Sequence, residues 1–302
     1  MFRTLRNIWE KNWPEVDAAV RGGLPQFVLA RWPHELGSSV PVFCYHVVDP
    51  DDFEQDLDFL SRNGYAPISA DALLDHLEGR RRAPKRAVVL TIDDGARNLY
   101  EVAFPLLKRH GMTAVAFVAP RFHGDLPADS PAESPPDALR PLRWSEIQEM
   151  HSSGVIDVQS HTYEHRYVPR WPEPIVLTGW RPQVVRSLLG SDLTIAEDFR
   201  FSREILEEKL GKTVRHLAFP KYNGTSVALR IGSECGFKAF WWGVRPRRPD
   251  NRPGESPSFI VRLNGEFMRR LPGEGRKSLT EIFRTRFGGS ASRLSSRHGL
   301  RL

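Results

Sequence analysis

The stretch Val88-Val89-Leu90-Thr91-Ile92-Asp93-Asp94-Gly95 runs from an apolar segment straight into two adjacent carboxylates and a glycine. An apolar run without alternation reads as a strand covered on both faces, the pattern of a parallel sheet. In such sheets the C-terminal strand ends carry the functional groups, so Asp93 and Asp94 fall where sites are built. Neighbouring carboxylates repel one another, and a cation or hydrogen-bond donors must compensate them. The same Asp-Asp-Gly also suits the cap of a following helix, which needs no chemistry.

Working outward, strand and helix signals alternate. Pro41 to Val47 reads as a strand, Phe53 to Arg62 and Ala70 to Leu77 as helices, and Ala87 to Ile92 as the buried strand. Leu99 to His110 reads as a helix closed by Gly111, and Thr113 to Val118 as a strand. A short helix over Trp144 to Met150 leads to a strand over Val155 to Ser160. Ile195 to Leu210 is a helix with Gly211 as its C-cap. A strand ending at Ala218 and Phe219, a helix over Ser226 to Cys235, an extended run over Lys238 to Trp242 and a last strand over Ser258 to Leu263 complete the series. This rhythm predicts an α/β fold, a parallel sheet with helices outside, open or closed into a barrel.

Two insertions break it. Residues 122 to 143 contain five prolines, and residues 166 to 194 contain four prolines with Trp171 and Trp180. Both read as irregular loops, and the second borders the histidines described below.

Composition excludes several classes. With 40% hydrophobic and 26% charged residues in 302, the chain is globular rather than disordered or fibrous. Cys44 and Cys235 lie in apolar stretches and predict free thiols rather than a disulfide framework. The formal net charge of +6 would suggest nucleic acid, but its distribution argues against that partner. From Met268 onward there are nine Lys or Arg against two Glu, whereas residues 1–267 carry 34 basic against 35 acidic. Phe2, Leu5, Ile8, Trp9 and Trp13 recur at helical spacing. Such a stripe docks on its own domain or, helped by the basic tail, on an anionic membrane surface. The first residues contain no uninterrupted apolar stretch of the secretory kind, and no window approaches the roughly 18 apolar residues of a spanning helix. The expected location is cytoplasmic, with the stripe docked on its own domain and peripheral membrane contact through the N-terminal helix and the tail as the less favoured alternative.

A second strand, Val155 to Ser160, ends in His161-Thr162-Tyr163-Glu164-His165. At i and i+4 the two imidazoles share one face if the chain turns helically after the strand. Alone, such a pair is weak evidence, since chance pairs and satisfied surface histidines give the same spacing. Two strand ends together supply one or two carboxylates and two imidazoles. That ligand set suits a divalent transition metal with positions left open for water and substrate, and a second carboxylate as general base. The chemistry this predicts is amide or ester hydrolysis. A third strand runs into Phe219-Pro220-Lys221-Tyr222-Asn223-Gly224, whose turn offers backbone N–H groups to an oxyanion, although by itself it reads as an ordinary Pro-Gly loop.

These segments, in this order, resemble the polysaccharide deacetylase family, also called the NodB-homology or carbohydrate esterase 4 family. Thr91 to Gly95 is similar to its Thr-Phe-Asp-Asp-Gly motif, with Ile92 in place of Phe, and Ser160 to His165 to its Ser-His-(Ser/Thr)-x-x-His motif. Cys44-Tyr45-His46, Phe53 to Ser69 with Gly64-Tyr65, and Trp144 to Gly154 also fit, and the version is closest to the poly-N-acetylglucosamine deacetylase branch. The resemblance covers residues 40–265 as a catalytic domain, leaving 1–39 as an N-terminal helical extension and 266–302 as a basic C-terminal tail. It implies a distorted (β/α) barrel of seven or so parallel strands with outer helices. By motif position it implies Asp94, His161 and His165 as ligands of a divalent metal, usually zinc, and Asp93 as general base.

Three departures stand beside it. Ala218 occupies the position where the family's third motif usually carries an Arg that contacts the catalytic Asp, as it also lacks in the related branch. Lys221-Tyr222-Asn223-Gly224 is longer than the usual Pro-Tyr-Gly turn, which leaves Lys221 and Tyr222 as the two candidates for the oxyanion N–H that the resemblance implies. The fifth motif's His, a proposed general acid, has no counterpart in Ile260-Val261-Arg262-Leu263-Asn264, although Arg262 matches an Arg of the related branch and joins Lys221 and Tyr222 as a substrate-binding candidate. His46, at the end of the first strand, is the remaining candidate for the protonating group. The function expected is removal of N-acetyl groups from an N-acetylated sugar, with a metal-activated water. A non-sugar C–N amide hydrolase and a catalytically inactive carbohydrate-binding relative are the alternatives.

Overall fold

In the computed structural model, which describes residues 17, 20–124, 137–166 and 193–288, β3 (Ala87–Asp93) is buried at every position. This is what an apolar run without alternation requires. β1 (Val42–Tyr45) and β4 (Ala114–Val118) flank it in parallel, and β2 (Ala66–Pro67) pairs with its first residues. On the β4 side follow β5 (Ile156–Ser160), β6 (His216–Ala218), β7 (Ala239–Trp242) and β8 (Ile260–Val261), all parallel. β9 (Leu263–Asn264) pairs instead with β1. The expected last strand is therefore split at Arg262, where the chain passes from one edge of the sheet to the other. Among the described residues eight parallel strands nearly close into a barrel, the closed form of the two that the strand–helix rhythm allows and the one the resemblance implies.

Asn251 bridges the seam. Its Oδ1 accepts from the Val261 amide at 2.9 Å, its Nδ2 donates to Val261 O at 2.8 Å, and its carbonyl accepts from the Val40 amide at 2.9 Å. One side chain thus satisfies backbone groups that an incomplete ladder would leave unpaired.

The described helices are α1 (Gln26–Leu29), α2 (Pro50–Arg62), α3 (Ala70–Leu77), α4 (Phe104–Arg109), α5 (Trp144–Ser152), α6 (Ile195–Leu210), α7 (Ser226–Glu234) and α8 (Leu279–Gly288). Asp49 caps α2 by accepting from the Asp51 and Asp52 amides, and a Thr194–Glu197 capping box opens α6. Gly211 ends α6 in the left-handed conformation, as its position predicts. The helix expected over Leu99 to His110 is wound in two parts: Leu99–Ala103 forms a π turn before α4 begins. Pro105 lacks the N–H that would complete an unbroken α ladder.

Side chains sort by the two-residue period of the strands. Val88, Leu90, Ile92, Ala116 and Val158 face outward under the helices, while Val42, Val89, Val115, Phe117, Ala218, Trp241 and Ile260 fill the barrel. One helix departs from the expected outer position. Ala70, Leu73, Leu74 and Leu77 of α3 belong to the inner cluster, and Asp71 Oδ1 lies 3.0 Å from Nε2 of His216 at the first residue of β6. α3 thereby stops the end of the barrel where the strands begin, leaving the opposite end for a site.

Phe27 and Val28 of α1 and Phe267, Met268, Leu271 and Ile282 share the outer core. Arg270 Nε donates to Val28 O at 2.8 Å and Arg276 Nη2 to Ala30 O at 2.6 Å, satisfying carbonyls at the end of α1. Phe2, Leu5, Ile8, Trp9, Trp13, Trp171, Trp180 and residues 289–302 lie outside the described residues, as does most of the two insertions. Among the described residues no helix is long and apolar enough to cross a membrane. Cys44 and Cys235 are free thiols.

Candidate active site

Three inward-facing series converge where the strands end. Val89, Thr91 and Asp93 alternate along β3, His161 follows Gln159 on β5, and Arg262 follows Ile260 across the split strand. Strict alternation would send Asp94 to the opposite face from Asp93. Instead Asp94 has φ 73° and Gly95 φ 68°, so the chain turns at once and both carboxylates reach one site. A Cβ on Gly95 would lie 2.6 Å from His123 Cε1, so the space as well as the backbone conformation calls for glycine.

Asp94 Oδ1 lies 3.2 Å from His165 Nε2 and 3.5 Å from His161 Nε2. The three ligand-type atoms all lie within 4.8 Å of one another. Asp94 Oδ1 is buried and makes no hydrogen bond of good geometry among the described residues, an unusual condition for a carboxylate oxygen. His161 Nδ1 is 2.9 Å from Ala218 O, which fixes that nitrogen as the donor and leaves Nε2 facing Asp94. This backbone contact on the far side of a ring is the usual accompaniment of a metal-ligating imidazole. The histidines do not ride on a helix as their spacing suggested. Residues 161–166 follow a bent course with φ 66° at Thr162 and φ 52° at His165, and the rings meet at 4.9 Å between centroids.

Asp93 stands beside this group, with Oδ2 3.9 Å from His161 Nε2. Its Oδ1 accepts from Arg262 Nη1 at 2.7 Å. Arg262 also donates from Nε to Trp242 O at 3.2 Å, and its guanidinium is fully buried. Where the family's third motif carries an Arg, Ala218 is packed inside the barrel, and a guanidinium reaches Asp93 from the split strand instead. Burial opposes the charge on Asp93, yet Arg262, His161 and His46 together hold its carboxyl below the usual range. Burial opposes the charge on Asp94 too, and the field of His46 with the neighbouring His161 and His165 holds it well below that range.

His46, half-buried after β1, meets Tyr222 edge to face at 5.7 Å between centroids, and the phenol oxygen is 3.4 Å from the ring nitrogens. Lys221 and Tyr222 have φ 54° and 60°, which makes the turn after β6 tight. The Tyr222 amide donates to Phe219 O at 3.1 Å within that turn. Trp241 and Trp242 are core residues and offer no open face to a sugar ring. Trp241 packs against Phe117 inside the barrel, and Trp242 Nε1 donates to Ser258 O.

Sequence reasoning passed over His123 and Asp198. His123 follows β4, is 4% exposed, and places Nδ1 2.9 Å from Leu142 O. Burial lowers its pKa to about 4. A lone histidine just past a strand was a visible signal, whereas Asp198 lies in a helix with nothing to mark it.

A parallel barrel with paired carboxylates and histidines at its strand ends is the architecture of a hydrolase class. The polysaccharide deacetylase sequence profile matches residues 80–240, and the chain belongs to that family. It is 30% identical over 112 residues to the poly-beta-1,6-N-acetyl-D-glucosamine N-deacetylase of Escherichia coli, a match spanning 36% of this chain and 16% of that protein. The Staphylococcus epidermidis enzyme of the same name is 23% identical over 185 residues, 61% of this chain and 57% of its own length. The chain thus matches less than two thirds of either relative. Among solved structures, IcaB of Ammonifex degensii superposes with a TM-score of 0.60 at 29% identity, covering 76% of this chain and 93% of that one. The BpsB deacetylase domain of Bordetella bronchiseptica gives 0.58 at 23% identity over 77% and 98%, a likeness of fold.

Proposed function

We propose that this protein removes N-acetyl groups from an N-acetylated sugar, with Asp94, His161 and His165 holding a divalent cation and Asp93 as general base. The observation that carries this is the convergence of Asp94 Oδ1, His161 Nε2 and His165 Nε2 within 4.8 Å, around a buried carboxylate oxygen that lacks a hydrogen bond among the described residues. Two imidazoles and one carboxylate suit zinc with coordination positions left open. A cation held there would polarise the acetamide carbonyl and lower the pKa of water beside it.

The chain's own residues do the rest. Asp93, held as an anion by Arg262, takes a proton from water at Oδ2, the oxygen that Arg262 does not occupy. His46, steadied by the Tyr222 phenol, delivers a proton to the departing amine. The Lys221–Tyr222 turn lies against this group and contacts substrate. Both relatives are named as deacetylases of poly-beta-1,6-N-acetyl-D-glucosamine, which makes a β-1,6-linked N-acetylglucosamine oligomer the first substrate to try.

Purified protein is assayed for metal content and for acetate release from N-acetylated glycans, glycolipids and nucleotide sugars. About one equivalent of metal, and acetate release lost in Asp93→Asn, are expected. No stoichiometric metal, or unchanged release by Asp93→Asn, overturns the assignment.

A further inference from the structure

The segment bearing both histidines is irregular, with two non-glycine residues at positive φ, so regular secondary structure does not hold it in place. Asp198 does. Its Oδ1 accepts from the Tyr163 amide and its Oδ2 from the Glu164 amide, each at 3.0 Å. These are consecutive amides lying between His161 and His165. Asp198 is fully buried on α6, and burial raises its pKa although the two amides and Arg166 act in the other direction.

A buried carboxylate costs stability unless hydrogen bonds compensate it, and for Asp198 the compensating donors are the two amides of this segment, so either the segment or the helix must have need of the group. The helix does not, because Thr194 and Glu197 already cap its first turn. The remaining contacts show how the segment is tied from every side. Ser202 Oγ, one turn further along α6, lies 2.7 Å from Ser160 Oγ, which accepts from the Thr162 amide at 3.2 Å. The Arg166 amide donates to Thr162 Oγ1 at 2.8 Å, and the Arg121 amide donates to Tyr163 O at 3.2 Å. Among the described residues, only Asp198 binds the two amides midway between the histidines, with both oxygens of one rigid group.

We infer that Asp198 is a positioning residue, whose buried carboxylate sets the bend between His161 and His165 and so the direction in which both imidazoles present Nε2. This rests on the proposed cation site. An asparagine there offers one carbonyl oxygen, so one amide keeps its acceptor and the other faces an NH2 group.

The test titrates metal-free full-length protein with Co2+ alone and records its dissociation constant and visible spectrum. Asp198→Asn is expected to bind Co2+ about 10- to 100-fold more weakly, with altered d–d bands, as loss of an outer contact does at metal sites. Phe199→Leu, which loosens the packing of the same helix on Phe219 and Phe237 and removes no hydrogen bond to the segment, is expected to bind as the wild type does. Amide exchange on the metal-free wild type adds a measurement that needs no variant to fold, with Tyr163 and Glu164 expected to be protected like α6. Wild-type affinity in Asp198→Asn, equal weakening in Phe199→Leu, or unprotected Tyr163 and Glu164 amides overturns the inference while leaving the cation site standing. A wild-type protein that takes up no Co2+ overturns both.

Discussion

Arg262 Nη1 and Asp93 Oδ1 are 2.7 Å apart in the interior of the barrel, joining the split last strand to the end of the central one. Both side chains are almost wholly buried, so each charge depends on the other. Removing one partner of such a pair costs about 3–5 kcal/mol, because an uncompensated charge stays behind. Arg262→Met is expected to lower stability by that order in urea denaturation and to suppress acetate release. Adding Asp93→Asn should restore part of the lost stability but none of the activity. If the two destabilisations simply add, the pair is not coupled.

His46 and Tyr222 form the second dyad, and their contributions should differ in size. A general acid contributes about 10²–10⁴ in rate. His46→Gln is expected to reduce kcat by about a hundredfold or more with KM little changed, and Tyr222→Phe by a smaller factor. Steady-state acetate release by both variants checks this, and an unimpaired kcat in His46→Gln would show that proton delivery lies elsewhere.

Gly95 carries two constraints that can be separated. Gly64 has φ 66° with nothing within 4 Å of an added Cβ, whereas at Gly95 the φ is 68° and the Cβ meets His123 at 2.6 Å. Gly64→Ala should cost about 1 kcal/mol from backbone conformation alone, and Gly95→Ala clearly more. Paired thermal melts measure the difference, and equal shifts would mean that the His123 ring yields freely.

His123 predicts acid lability. Its pKa is lowered to about 4 in the fold by burial, against about 6.5 in an unfolded chain. Between those values the unfolded state binds the proton and the folded state does not, so stability falls as pH drops from about 6.5 toward 4, by about 3 kcal/mol in all. Below pH 4 this contribution is gone, and above 6.5 it is fully present. His123→Gln should flatten the profile of unfolding free energy in that window, and a parallel profile would assign the acid sensitivity to other groups.

Much of this molecule was legible in one dimension because local pattern and chemistry agreed. The unbroken apolar run before Asp93 required a strand buried on both faces, and the strand–helix rhythm around it required a parallel sheet. Spacing alone put two carboxylates and two histidines at strand ends, since the end of a strand is a property of sequence order. What the sequence lacked was distance. That Arg262, 169 residues from Asp93, is its partner follows from barrel closure, which brings the last strand against the first. The helical turn suggested by His161 and His165 gave way to a bent segment held by Asp198, because contacts from α6 override a local periodicity. The presence of both aspartates at one site depends on a positive φ at Asp94, a choice the surrounding packing makes and no residue spacing records.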